Sequence, residues 1–100
     1  MSTKASSVVT PTEHVYVERV ADIAAGEPVV RGTRTTVRTV VLNWKSGIAP
    51  EKIPERLPHL SVAQVFDALS YYADHQAEID HYIHEHRHQE ELVDPRFRDL

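Results

Sequence analysis

The residues best equipped for chemistry lie in the segment GEPVVRGTRTTVRTVVLNWKSG, 26–47. Between Pro28 and Pro50 it holds Arg31, Arg34, Arg38 and Lys45 and no acidic residue. Cationic groups at that density can hold phosphate oxygens, and Thr33, Thr35 and Thr36 add hydroxyl donors. An arginine pair could instead read guanine edges in a major groove. The alternative is structural: Gly32-Thr33-Arg34 forms a tight turn whose arginine bonds carbonyls or an acidic residue nearby. Arg31 and Arg38 are the better candidates to meet a polyanion. Thr33, Arg34, Thr35 and Lys45 complete the expected DNA-binding set.

A second group is the histidines, five of which fall in DHQAEIDHYIHEHRHQ, 74–89. His81, His84 and His88 share one helical face, and His84 with His88 could chelate zinc or nickel through neutral imidazole nitrogens. A closed site needs further ligands, and the same spacing suits a solvated helical face. No metal and no cofactor are therefore expected.

Other chemistries are poorly supplied. The chain has no cysteine, which removes disulfides, thiolate nucleophiles and thiolate metal sites. No serine occupies a nucleophile-elbow pattern and no phosphate-binding glycine loop follows a strand, so no enzyme is expected.

Charge is unevenly placed along the 100 residues. The first half carries six Lys/Arg against four Asp/Glu, the second five against eleven, within a net charge of −4. Such separation presents different surfaces to different partners. The polar N-terminus lacks the apolar run of a signal peptide, and no stretch approaches the roughly 20 apolar residues of a membrane span. A cytoplasmic location without membrane contact is the expectation.

These residues must be positioned by a small set of elements. Residues 1–13 read as a disordered tail, 14–88 as one domain and 89–100 as a C-terminal tail. HVYVERV, 14–20, alternates like a short strand, and Val29-Val30 can pair back on it. Thr36 can cap a first helix with the stripe Val37, Val40, Val41 and Trp44, closed by Gly47. Pro50 and Glu51 suit the start of a short second helix that ends before Pro58. Ser61 and Gln64 fit a capping box for a third helix, whose expected buried stripe is Val62, Val65, Phe66, Leu69 and Tyr72 or Ala73. A fourth helix is expected from Asp74, carrying Ile79, Tyr82 and Ile83 and fading near His88.

The third helix is apolar nearly all round, and so short a chain buries such a helix with difficulty. A homodimer through Phe66, Leu69, Tyr71, Tyr72, Ile79, Tyr82 and Ile83 is the expected outlet.

The order of these signals resembles the domain-of-unknown-function family 433. The resemblance is carried by GEPVVRGTRTTVRTVV and by SGIAPEKIPERLPHLSVAQVFDALSYY, and it spans about Tyr16 to Ile83. Glu27 stands where a lysine is common, and Ala49 where a capping serine is common. The resemblance implies a mainly α fold: a three-helix, homeodomain-like helix-turn-helix core, here with a short β-strand or hairpin before it and a fourth C-terminal helix. It also implies a VapB-like antitoxin of a type II toxin–antitoxin pair, neutralising a PIN-like nuclease and binding its own promoter DNA as a dimer. The alternative is a protein-interaction adaptor that never touches nucleic acid. Under the antitoxin expectation, the tail residues Leu92, Val93, Arg96, Phe97 and Arg98 meet the toxin, an arginine entering its metal-binding carboxylates. The third helix offers Gln64, Asp67 and Ser70 and no cation, so it is a poor groove reader.

Overall fold

The structure, a computed structural model, describes residues 8–93, with side chains through Arg87. It opens with a three-stranded antiparallel meander: β1 (Val9–Pro11), β2 (Val17–Val20) and β3 (Pro28–Val30), in the order β1-β2-β3. Val9 pairs with Val20, and Val17 with Val30. The β1 pairing corrects the expectation of disorder through residue 13. Ladder hydrogen bonds to β2 order a segment whose side chains are exposed. The strand expected over 14–20 is also shorter, because Val15 and Tyr16 belong to the turn that leads into β2.

Four helices follow: α1 (Val37–Lys45), α2 (Ile53–Arg56), α3 (Val62–Asp74) and α4 (Gln76–Val93). The local start signals act as read. The Thr36 hydroxyl accepts the Thr39 N–H at 3.0 Å, and Ser61 and Gln64 satisfy each other's backbone groups in a capping box. Gly47, at φ +104°, closes α1 in a conformation that an L side chain adopts only with strain. Ala49 makes no capping bond to the 3-10 turn Pro50–Lys52, as its missing hydroxyl dictates. α4 begins at Gln76 rather than Asp74 and continues to Val93, past the boundary expected at residue 88. Leu92 and Val93 therefore lie in its last turn. Arg96, Phe97 and Arg98 lie outside the described residues.

The core joins one face of the sheet to α1, α3 and the start of α4. Val17, Val30, Val40, Val65, Ala68 and Ile79 are among its fully buried members. The inward side of α3 is Val65, Ala68, Tyr71 and Tyr72, whereas Val62 and Phe66 are 42% and 50% exposed. The stripe expected to be buried is therefore rotated. α3 is apolar on both sides, and the contacts of α1 and β2 select which side faces in. Tyr71, Tyr72 and Ile79, expected at a dimer interface, are buried within the protomer instead. Among the described residues no helix is long and apolar enough to cross a membrane.

Candidate functional site

The basic segment is the first place to test for a site. Backbone turns fix its geometry: Thr33 N–H donates to Val30 O, and the Thr33 hydroxyl donates to Val30 O at 2.8 Å and accepts the Thr35 N–H at 3.0 Å. The Thr35 hydroxyl lies 2.6 Å from His59 Nε2. All three hydroxyls expected to meet phosphate, with Thr36 in the α1 cap, are thus engaged inside the protein. Gly32, at φ +79°, donates its N–H to Glu18 Oε2, which brings a carboxylate to the same turn.

Arg38 is a clear correction. Its Nε lies 3.1 Å from Glu27 Oε1, and that carboxylate is only 4% exposed. His86 on α4 contacts the other oxygen, Oε2, at 2.8 Å. The turn before β3 makes this possible. Ala24 and Ala25 both take left-handed conformations, at φ 52° and 53°, and the chain then delivers Glu27 inward. A non-glycine residue in that region costs about 1–2 kcal/mol. Arg38 is therefore an internal counter-ion. Lys45 sits at the far end of α1, its ammonium 5.5 Å from the Tyr72 ring centroid. Arg31 and Arg34 remain exposed together, Arg31 donating to Val15 O at 3.3 Å.

A different cluster emerges where the β1–β2 turn meets the end of α3. The Thr12 hydroxyl accepts the His14 N–H and donates to Val17 O, fixing the backbone on which His14 stands. The His14 side chain is 10% exposed, with Nδ1 3.4 Å from Asp67 Oδ1 and Nε2 2.8 Å from Asp74 Oδ2. Asp67 is held in turn, its Oδ2 accepting the Tyr16 N–H at 2.7 Å. His75 Nε2 lies 2.6 Å from Glu13 Oε2, and its ring stacks on Tyr71 at 4.2 Å. The Tyr71 hydroxyl accepts from Arg19 at 2.8 Å and donates to Glu78 at 2.9 Å. Burial and the bond to Glu78 push the Tyr71 hydroxyl well above its ordinary range, so it stays a donor.

Partial burial works against the His14 imidazolium, but the Asp74 and Asp67 carboxylates outweigh it and raise its pKa above the ordinary 6.5. The hydrogen bond from His75 holds the Glu13 carboxyl below the usual carboxylate range. A raised folded-state value means that the stabilisation from His14 is complete below pH 6.5 and is lost as pH rises through that value. Melting temperatures of wild type and His14→Gln should thus differ most at mildly acidic pH and converge above neutrality. A constant difference across that range contradicts the assignment.

Helical spacing singles out His81, His84 and His88 and says nothing of this cluster. Its contacts join residues 53 to 62 positions apart, so no spacing reveals them. The local signal, the acid–histidine dipeptides Glu13-His14 and Asp74-His75, recurs at Asp80-His81 and Glu85-His86 and so singles out neither.

A third feature is apolar. Val62, Phe66, Leu69 and Ala73 follow one another along the outer face of α3. They lead to a groove of about 240 Å³ lined by Trp44, Leu69, Tyr72, Ala73 and Gln76. Trp44, expected to be buried, is 43% exposed and meets Tyr72 edge-on at 6.3 Å.

Comparison with known proteins adds the following. The family described as "Protein of unknown function (DUF433)" matches residues 17–72, which run from β2 nearly to the end of α3. No curated protein matches the chain. The crystal structure of a DUF433 member protein from Anabaena variabilis ATCC 29413 is similar, with a TM-score of 0.63 and 24% identity over 68% of this chain and 67% of that one. The likeness is one of fold.

Proposed function

The chain belongs to the DUF433 family, and from that premise we propose that it works by binding protein, as a homodimer assembled through the outer face of α3. The exposed stripe carries this reading. Val62, Phe66 and Trp44 are each more than 40% exposed, and Trp44 lines an apolar groove with Leu69 and Ala73, the kind of patch that marks an interface. A second copy is the occupant that fits. The stripe's neighbours Ala63, Gln64, Ser70 and Gln76 are uncharged, and the charges at its edge are of both signs, Lys45 over the Tyr72 ring and Asp74 beside Ala73, so a face-to-face approach can set unlike charges together. In a two-fold arrangement Phe66 of each copy enters the Trp44 groove of the other, a self-complementary contact. The toxin-neutralising role implied by the family resemblance fits within this reading, since it needs a protein surface and no DNA.

Promoter binding is the second reading, and the joint exposure of Arg31 and Arg34 favours it. A dimer would bring two such pairs to a phosphate backbone. Against it stand the internal pairing of Arg38 and the acidic α3, with Asp67 and Asp74 and no cation. A helix-turn-helix mechanism would need α3 to approach phosphate.

Sedimentation velocity on the full chain tests the first reading. Wild type should sediment as a dimer and Phe66→Glu as a folded monomer, with association weakened at least about 30-fold, as expected for a central aromatic anchor. A monomeric wild type sinks the proposal. DNA titration at two salt concentrations tests the second reading. Only a steep salt dependence that Arg31→Ala with Arg34→Ala removes would favour promoter binding.

A further inference from the structure

We propose that Glu13, His14 and Asp74 form a binding site for a divalent transition-metal ion of the zinc class. One ligand atom from each lies within 4.8 Å of the other two. The His14 Nε2 is 2.8 Å from Asp74 Oδ2 and 3.9 Å from Glu13 Oε2. Zinc bonds nitrogen and carboxylate oxygen at about 2.0–2.2 Å, which sets tetrahedral ligand atoms roughly 3.4 Å apart. Side-chain rotations of the two surface carboxylates, whose ligand atoms already lie within 4.8 Å of each other and of the imidazole, would bring the three to that spacing.

The features around these ligands are those a metal site requires. His14 is nine-tenths buried; its Nδ1 faces Asp67 at 3.4 Å, an outer carboxylate of the kind that orients a metal-bound imidazole, and an ion would displace the proton that Nε2 shares with Asp74. Asp67 is itself fixed by the Tyr16 N–H. His75 Nε2 lies 2.6 Å from the same Glu13 Oε2 and so holds that oxygen beside His14, while its own Nδ1 lies 4.0 Å from Glu78. Glu13 and Asp74 are 58% and 59% exposed, so an ion has an entry path and a fourth position open to water. The imidazole ligand favours zinc, cobalt or nickel over magnesium and calcium, which take oxygen shells.

Isothermal titration of the full chain with Zn²⁺, and with Co²⁺ read by visible absorption, tests the proposal. One equivalent should bind, with the Co²⁺ spectrum showing tetrahedral intensity. Glu13→Gln and Asp74→Asn alter exposed side chains, and circular dichroism will show that each variant folds. Each should weaken Zn²⁺ at least 10-fold, whereas His84→Ala with His88→Ala should leave affinity unchanged. Retained affinity in both carboxylate variants overturns the proposal, as does loss of binding on removing His84 and His88. Absence of any stoichiometric binding overturns it equally.

Discussion

Glu27→Ala is expected to lower stability by about 3–5 kcal/mol, the usual consequence of removing one partner from a buried ion pair. The carboxylate is 4% exposed and bridges Arg38 at 3.1 Å and His86 at 2.8 Å. Without it, the Arg38 guanidinium, 16% exposed, keeps its desolvation and loses its counter-charge. For a domain of this size the melting temperature should fall by roughly 4–8 °C per kcal/mol. Urea denaturation followed by circular dichroism measures the change. The double variant Glu27→Met with Arg38→Met should recover most of the loss, because two apolar groups of similar reach leave no buried charge. A single variant that melts with wild type would place the pair in solvent. The same pair bears on function: a cation that anchors α1 to the turn before β3 is withdrawn from any polyanion. Glu27 supplies the charge that draws Arg38 inward.

Ile79→Ala should cost about 3 kcal/mol, within the range for deleting a buried aliphatic side chain. The residue is fully buried and joins the start of α4 to the common core. Its loss should be independent of protein concentration, since the contacts lie within one protomer. A contact across a dimer interface would instead give a loss that changes with concentration, beyond the dependence that the dimer imposes on wild type and variant alike. Thermal unfolding of both proteins at two concentrations a hundredfold apart separates these outcomes. A difference between variant and wild type that changes with dilution would return Ile79 to the interface.

The parts of the fold readable in advance are those fixed within a few residues. Thr36 with Thr39, Ser61 with Gln64, and Gly47 after α1 each satisfy backbone groups three or four positions away. Val29-Val30 pairing back on β2 was legible for a similar reason, since a short turn brings apolar runs together. The facing of α3 was not. Val62, Phe66, Leu69 and Ala73 form as good an apolar stripe as Val65, Ala68 and Tyr72, and periodicity cannot rank two stripes on one helix. Nor could the Glu13–His14–Asp74 cluster be read, because a ligand set split between a β-turn and a helix end leaves no spacing.

The amino-acid order alone thus determined where α1 and α3 begin and where α1 ends, the lack of thiol chemistry and the concentration of cations before Pro50. Those properties depend on near neighbours or on composition. Tertiary structure decided which arginine stays free, which side of α3 meets solvent and which histidine gathers carboxylates. Each of those outcomes depends on which groups two distant segments bring within a few ångströms, where Coulomb attraction, burial and hydrogen bonding act.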